Sequence, residues 1–367
     1  MRFICDKNII LREISVAQEI IASRNALSIL SNVLLEVDDD VLIIKATDLK
    51  VSFETRIPVI IENSGSTTVF CDKLLGILRT LPDGDVKIVQ DEGDLLNIFS
   101  GDNIKFQLHS ISADKFPEIS KTDEESYFSL SQKDFITMVG QTIFSISDDE
   151  TRYFMNGVYM EKSEDRLIMV ATDGRRLSYI SNAPNGKVPE FDGIIIPPKA
   201  LHLIRKLASG EGEFKIAVAD KTLFMQFDNQ KITSNLIDAQ FPNYSRVIPE
   251  RQDYEFQVSR IELIDALKRV SLLADHKSKR VFLSISGNRL LLKSDKSEIG
   301  VAEENINCRY DGPESVFALN HLYISDPLKE IKDDEVCIKF TDTSKAITIV
   351  SVPESSFFHI VMPMQKD

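Results

Sequence analysis

The amino-acid sequence makes much the same statement three times, and that repetition limits what the chain can fold into. Apolar runs closing on an aspartate occur at Leu42-Ile43-Ile44-Lys45-Ala46-Thr47-Asp48, Leu167-Ile168-Met169-Val170-Ala171-Thr172-Asp173 and Leu290-Leu291-Leu292-Lys293-Ser294-Asp295. A second marker, Phe116-Pro117, Phe241-Pro242 and Met362-Pro363, keeps the same period, so each unit is roughly 120 to 125 residues long, a size that suits one domain. The segments Ser120-Lys121-Thr122-Asp123-Glu124-Glu125-Ser126 and Pro249-Glu250-Arg251-Gln252-Asp253 are short, polar and charged, as domain links tend to be. They predict domains at 1–122, 123–250 and 251–367. Three like domains joined by short links point to a fixed arc or ring rather than one catalytic cleft.

Composition removes several alternatives. With 367 residues, 43% of them hydrophobic, the chain can fill several cores, and a single core seldom grows past about 250 to 300 residues. No apolar stretch approaches the roughly 18 residues that span a bilayer. The opening Met1-Arg2-Phe3-Ile4-Cys5-Asp6 lacks an apolar leader core, so a soluble, cytoplasmic protein with no membrane partner is expected. Cys5, Cys71, Cys308 and Cys337 lie far apart without C-x-x-C spacing and read as small buried hydrophobes. His109, His202, His276, His321 and His359 are equally scattered, with no H-E-x-x-H pair and no G-x-S-x-G serine. No metal, cofactor or catalytic residue is expected. A net charge of −14 opposes phosphate binding on average, but a polyanion meets the local surface rather than the sum.

Each copy reads as strand, helix, strands, helix, strands. Ile9, Ile10, Ile14, Val16, Ala17, Ile20 and Ile21 recur close to helical spacing, as do Phe135, Ile136, Val139, Ile143 and Leu263, Ile264, Leu267, Val270. Second helices are predicted from Asp72-Lys73-Leu74-Leu75 and from Pro198-Lys199-Ala200-Leu201, where proline suits a first turn. In the third copy, Asn320 to Ile331, Pro327 is expected to start, kink or end the helix, because it has no N–H to donate. Val86-Lys87-Ile88-Val89, Phe214-Lys215-Ile216-Ala217-Val218 and Ala346-Ile347-Thr348-Ile349-Val350 read as strands, and Leu81-Pro82-Asp83-Gly84-Asp85 as a turn.

Aligned by the repeat, the second helices put Arg79, Arg205 and Lys329 at equivalent positions, each two residues before Leu81, Leu207 or Ile331. Lys73 and Lys199 also correspond, and Lys268 to Arg280 carries Lys268, Arg269, Lys277, Lys279 and Arg280 against Asp275 alone. Two readings compete: solvated helix faces, or a track of cations facing phosphate without reading sequence. Asp148-Asp149-Glu150 is an acidic cluster that interrupts such a track.

Two segments carry a resemblance. Ala171-Thr172-Asp173-Gly174-Arg175-Arg176-Leu177-Ser178 and Ile360-Val361-Met362-Pro363-Met364 resemble signatures of the bacterial DNA polymerase sliding clamp, the beta subunit of the replicative polymerase holoenzyme. Asn156-Gly157 after Arg152-Tyr153, Phe241-Pro242-Asn243-Tyr244 with Arg246-Val247, and Thr47-Asp48-Leu49 fall in that family's order, so the resemblance runs the full chain. It implies an α+β chain of three tandem clamp domains, each with two helices against antiparallel sheets. It further implies a head-to-tail homodimer whose six domains close a ring around duplex DNA. Such a clamp performs no chemistry; it tethers the replicative DNA polymerase and also binds the clamp loader, repair proteins and other clamp-binding proteins. Dispersed cations suit sliding on double-stranded DNA without sequence specificity.

By resemblance, a partner-peptide groove lies between the second and third domains. Leu177, Val247, Ile360 and Met362 would wall its apolar pocket, while Arg152, Arg176 and Arg246 would orient polar parts of the peptide. Met155, Thr172, Gly174, Arg175 and Pro242 belong to the same groove, as do Tyr323, Ser344, Ala346, Pro363 and Met364. DNA-facing positions would be Arg24, Lys73, Arg79, Tyr153 and Phe154, with Lys199, Arg205, Lys277, Lys279 and Lys329. The dimer seam would set Lys105, Phe106 and Leu108 against Leu272, Leu273, Glu298, Glu303 and Glu304, with lysine against glutamate fixing the register. The chain departs from the family pattern at Arg175, where histidine is common, and at Asn103, which replaces a basic residue of some relatives, so a less tight dimer is expected. It departs again at the Gln365-Lys366-Asp367 end, where many clamps have arginine and leucine.

Two other classes make different demands. A phosphate-binding enzyme built on Thr172-Asp173-Gly174-Arg175-Arg176 has one glycine where such loops need several. A repeat scaffold that binds only proteins would not be retained on circular DNA.

Overall fold

The computed structural model describes residues 1–21, 28–90, 93–184 and 186–365. The chain is α+β and forms two compact units, residues 1–132 with 202–236, and residues 133–201 with 237–367. The division runs through the middle repeat. Each unit is built on one antiparallel sheet, of thirteen strands in the first and twelve in the second. Among the described residues there are six α-helices: α1 Lys7–Ile20, α2 Cys71–Thr80, α3 Gln132–Ile143, α4 Pro198–Leu207, α5 Arg260–Val270 and α6 His321–Glu330. No helix among them is long and apolar enough to cross a membrane.

The helices form where the apolar spacing places them. On α1, Ile10, Ile14, Ala17 and Ile20 are wholly buried along one face, and the Asp6 carboxylate accepts from the Asn8 and Ile9 N–H groups at the start. On α5, Leu263, Ala266, Leu267 and Val270 are buried, and Ser259 caps the Glu262 N–H. All three first helices begin alike. The Lys7 N–H donates to the Gly84 carbonyl at 3.0 Å, Gln132 to Gly212 at 3.0 Å and Arg260 to Asp334 at 2.8 Å. The repeat in the sequence is thus a repeat in hydrogen bonds. Pro327 departs from expectation, because α6 continues through it to Glu330 with the proline buried.

Two of the three aspartate markers close the same turn. Asp48 Oδ1 accepts from the Lys50 and Val51 N–H groups, and Asp173 Oδ1 from those of Arg175 and Arg176. Thr47 and Thr172 complete it identically, each accepting from the N–H two residues on and donating to the carbonyl four residues on. Asp295 does something else. It pairs with Arg280, and a longer loop, residues 295–302, joins the strands there.

Strands pair across the borders of the repeats. In the first unit Gln230–Asn235 lies antiparallel to Val51–Pro58, with Thr233 opposite Ser52. In the second unit Phe357–Val361 lies antiparallel to Arg176–Asn182, with Ile360 opposite Leu177. Among the described residues, two counterparts keep an open edge. Ile104–Ile111 is paired along its length with Leu95–Ser100, but on its other side only through Ser110 and Ile111. Glu303–Arg309 is paired with Arg289–Ser294, but on its other side only through Cys308 and Arg309.

Leu49 occupies the turn position held by Gly174 in the next repeat, at φ 74 against φ 86, and it is 58% exposed. A side chain in this left-handed region costs about 1–2 kcal/mol and buries little here in return. Leu49→Gly is therefore expected to stabilise the protein by about 1 kcal/mol in urea denaturation; a loss of stability would contradict the equivalence of the two turns.

Candidate functional site

All seventeen groove positions fall in the second unit, where the turn after Thr172 meets the C-terminal strand. The Asp173 carboxylate holds that turn, and the Met362 N–H donates to the Arg175 carbonyl at 2.9 Å, which brings the Met362-Pro363-Met364 segment alongside it. The Met364 N–H then donates to the Ala318 carbonyl at 2.7 Å, and Arg280 reaches the Gln365 carbonyl at 3.2 Å. Lys366 and Asp367 lie outside the described residues.

Arg176 is built in. Its Nε donates to Asp173 at 3.0 Å, its Nη1 to Asp326 at 2.9 Å and its Nη2 to the Phe144 carbonyl. The guanidinium also lies 4.6 Å from the Tyr323 ring centre and 5.8 Å from that of Phe144. A charge only 12% exposed is tolerable because two carboxylates flank it. Arg176 is therefore a strut joining the turn to α6, where sequence reasoning gave it a role in orienting the peptide.

The neighbouring Tyr323 carbonyl explains how α6 tolerates a proline. In a regular helix it would accept from the N–H of residue 327, which proline lacks. His359 Nε2, from the C-terminal strand, lies 3.0 Å from that oxygen. A carbonyl only accepts, so Nε2 carries the proton and Nδ1 accepts from the Ser178 hydroxyl at 2.7 Å. Ser178 Oγ in turn accepts from the Ser145 hydroxyl at 2.7 Å. His359 is completely buried, and burial, with Arg176 nearby, pushes its pKa down to about 3. It is a neutral connector. Sequence reading passed over it as one of five scattered histidines; the signal available was a proline inside a helical pattern.

Leu177 and Ile360 belong to a buried apolar cluster with Ile168, Val170, Ile195 and Phe241, against which Tyr244, Ile248 and Ala346 pack. An aromatic row runs beside it. Phe241 stacks on Tyr159 at 4.7 Å, and Tyr179 stacks on Phe358 at 4.6 Å, with Tyr244 between Tyr159 and Tyr179. Glu161 accepts from both the Tyr159 and Tyr244 hydroxyls, and burial together with that carboxylate pushes Tyr159 up to about 12 and raises Tyr244 as well. This row fixes the segment bearing Pro242, Arg246 and Val247, and sequence reasoning named none of Glu161, Tyr159 or Tyr179. Val247 and Arg246 are exposed, and Met362 is 44% exposed, so the apolar floor has mobile-sized side chains at its rim.

A charged cleft of about 370 Å³ adjoins the turn and is lined by Asp149, Arg152, Asp173, Arg175, Lys279 and Tyr323, among others. Arg152 donates to Asp149 and to the Asp173 carbonyl, both at 2.9 Å, and Met155 is buried behind it. Lys279, expected to face DNA, lines this cleft. Ser344 caps its own loop through Asp342, whose pKa the Ser344 hydroxyl and N–H lower to about 2.

The remaining candidates lie elsewhere. Lys73 and Arg79 are exposed on α2, Arg205 and Lys329 sit in the last turns of α4 and α6, and Lys199 is exposed in the first turn of α4. A cation in a last turn also suits the helix dipole. Lys329 shares Asp326 with Arg176. Lys277 is exposed in a turn held by Asp275, and Tyr153 is exposed with Phe154 edge-on to it at 6.1 Å. Arg24 lies outside the described residues. On the open edges, Lys105 and Phe106 are exposed and Leu108 is half-buried. Leu272 is 79% exposed, Leu273 half-buried, and Ile299, which sequence reasoning missed, is 87% exposed in the loop with Glu298. Two of the three acids expected at the seam are already engaged, Glu303 with Lys293 and Glu304 with Arg269. Among the described residues no group of His, Cys, Asp and Glu is placed to hold a metal ion.

Family models for the DNA polymerase III beta subunit match the chain in order: the N-terminal domain over residues 1–120, the central domain over 129–243 and the C-terminal domain over 245–365. The beta sliding clamp of Treponema pallidum is 41% identical, covering 100% of both chains, and that of Escherichia coli K12 is 30% identical with the same coverage. A crystal structure of a sliding clamp from Bartonella birtlesii bound to griselimycin is 30% identical, with a TM-score of 0.94 over 100% of both chains.

The buried histidine makes stability depend on pH. His359 titrates near 6.5 when unfolded and near 3 when folded, so the unfolded chain binds the extra proton between those values. Its contribution is complete above about pH 6.5 and is lost at about 1.4 kcal/mol per unit as pH falls toward 3. Denaturant titrations at pH 7 and pH 4.5 should show a drop that is smaller by about 2–3 kcal/mol in His359→Gln; equal drops would remove the assignment.

Proposed function

Because the chain belongs to the family of bacterial DNA polymerase III beta subunits, the beta sliding clamps, we propose that its two open strand edges close a head-to-tail dimer and that the groove walled by Leu177, Ile360 and Met362 receives partner peptides. The chain is a non-enzymatic processivity factor of DNA replication, acting on DNA in the cell interior. It works as a dimer that encircles DNA and binds the polymerase, the clamp loader and other proteins. The scaffold reading is not favoured. Cytoplasmic residence and domains at 1–122, 123–250 and 251–367 are our reading of the same chain.

The open edges carry the dimer proposal. Each internal repeat border joins two strands edge to edge, and the third such border needs a strand from a second copy. Phe106, Leu108, Leu272 and Leu273 would form its apolar centre, with Ile299 added to it. Lys105 and the acids Glu298, Glu303 and Glu304 would lie at the rim, where Lys293 and Arg269 already answer two of the acids. DNA would meet Lys73, Arg79, Lys199, Arg205, Lys277 and Lys329 together with Arg24, Tyr153 and Phe154. Lys279 would serve the groove side.

For the groove, the apolar pair Leu177 and Ile360 supports a peptide's apolar anchor, and Met362 with Val247 supports a rim that adapts to different anchors. Arg152, Arg175 and Arg246 would orient the peptide's polar groups. Thr172 and Gly174 shape the turn, Pro242 and Pro363 stiffen the rims, and Met155, Ser344, Ala346 and Met364 support them.

Loading separates the readings. The protein should stay on nicked circular DNA and leave when the circle is cut; equal loss from circular and linear DNA would remove encirclement. Leu272→Glu is expected to yield monomers in sedimentation at concentrations where the parent is dimeric, since it places a charge in an apolar seam; an unchanged dimer would displace the seam. Met362→Ala should weaken binding of a polymerase-derived peptide about tenfold with the dimer intact; unchanged binding would remove the groove assignment.

A further inference from the structure

We propose that His359 is a positioning residue for the partner groove, supplying to the Tyr323 carbonyl the hydrogen bond that Pro327 withholds. The proposal rests on the groove reading above and deepens it.

The geometry leaves little freedom. Pro327 removes the donor that would hold the Tyr323 peptide unit in α6, and its ring crowds the carbonyl four residues back. An unheld carbonyl in the first turn would let the Tyr323 side chain turn with its backbone. His359 Nε2 holds it at 3.0 Å from the C-terminal strand, two residues before the turn into Met362. The His359 ring lies 5.5 Å from that of Phe144, whose carbonyl binds Arg176. Arg176 in turn lies 4.6 Å from the Tyr323 ring centre. The same imidazole therefore ties together α6, the strand bearing Ser178 and the strand leading into Met362, which between them carry Tyr323, Leu177 and Ile360. A histidine that merely filled space would need no partner on both nitrogens, and this one has two.

The pair can be uncoupled, because Pro327→Ala restores an N–H four residues after Tyr323. Four full-length proteins are compared: the parent, His359→Phe, Pro327→Ala and the double variant. Affinity for a fluorescent linear peptide derived from a replicative polymerase is read beside dimerisation and thermal stability. His359→Phe should bind about tenfold more weakly, the order expected for one buried hydrogen bond, while Pro327→Ala binds like the parent and the double variant returns to within about threefold of it. A space-filling role would lower stability without restoration of affinity by the alanine. Parent-like binding by His359→Phe, or a double variant no tighter than it, overturns the proposal. Failure of the parent to bind would instead overturn the groove reading, and this proposal with it. Nitrogen NMR of histidine-labelled parent protein gives a readout independent of variant folding: His359 is expected as the Nε2–H tautomer at neutral pH, and the Nδ1–H tautomer would overturn the pairing with Tyr323.

Discussion

A strand edge with no neighbour exposes a row of N–H and C=O groups, and this chain meets that constraint by letting a strand of each later repeat cover the edge of the repeat before it. Val51–Pro58 receives Gln230–Asn235 from the second repeat, and Arg176–Asn182 receives Phe357–Val361 from the third. A tandem of three has two such borders and one strand left open at each end of the series, Ile104–Ile111 and Glu303–Arg309. Exposed apolar side chains stand beside both strands, Phe106 on one and Leu272, Ile299 and Val301 near the other. Backbone valence and apolar exposure thus ask for the same thing, a second copy of the chain, which is what the family's dimer supplies.

The two internal borders share a backbone plan and differ in chemistry. Where Leu177 faces Ile360 in the second unit, Ser52 faces Thr233 in the first. The straps that cross them also correspond, Phe241-Pro242 and Phe116-Pro117, each with its phenylalanine buried. In the first unit the space under the strap is a cleft of about 670 Å³ lined by Lys45, Glu54, Arg56, Ser52 and Thr233 together with apolar residues such as Ile43, Phe116 and Ile232. Its charges answer one another, Lys45 meeting Glu36 at 2.5 Å and Arg56 meeting Glu54 at 3.3 Å. At the paired position an apolar anchor gains more by leaving water for Leu177 and Ile360 than for the hydroxyls of Ser52 and Thr233. A few side chains on a duplicated frame thus give the two borders different chemistry.

Periodicity made the frame legible. Isoleucines at helical spacing found α1, the two Phe-Pro pairs found the straps, and Asp48 and Asp173 found two copies of one turn, because each of these acts through residues close in sequence. Asp295 looked like a third copy and is not one: an acidic residue after an apolar run fits a turn or an ion pair equally well, and only the position of Arg280 decides between them. The groove's membership came from family resemblance, but the work done by its residues did not. Arg176 reads as a free cation in sequence because its partners, Phe144, Asp173 and Asp326, converge only in three dimensions. Glu303 and Glu304 likewise read as free acids until Lys293 and Arg269 are placed beside them.

Pro327 shows how a local conflict can carry information. A proline in a helix interior costs about 3 kcal/mol when nothing compensates, and sequence reasoning accordingly expected α6 to start, kink or end there. The helix persists because the carbonyl the proline leaves without a donor, that of Tyr323, points at a buried histidine 36 residues further along the chain. That compensation has a direction. Burial keeps the imidazole neutral, neutrality leaves one nitrogen to donate, the carbonyl requires that it be Nε2, and Nδ1 must then accept from Ser178. A histidine held at both nitrogens cannot rotate, so the strand that bears it and the helix that needs it are fixed to each other. The persistence of α6 through its proline and its attachment to the C-terminal strand are two consequences of the same hydrogen bond.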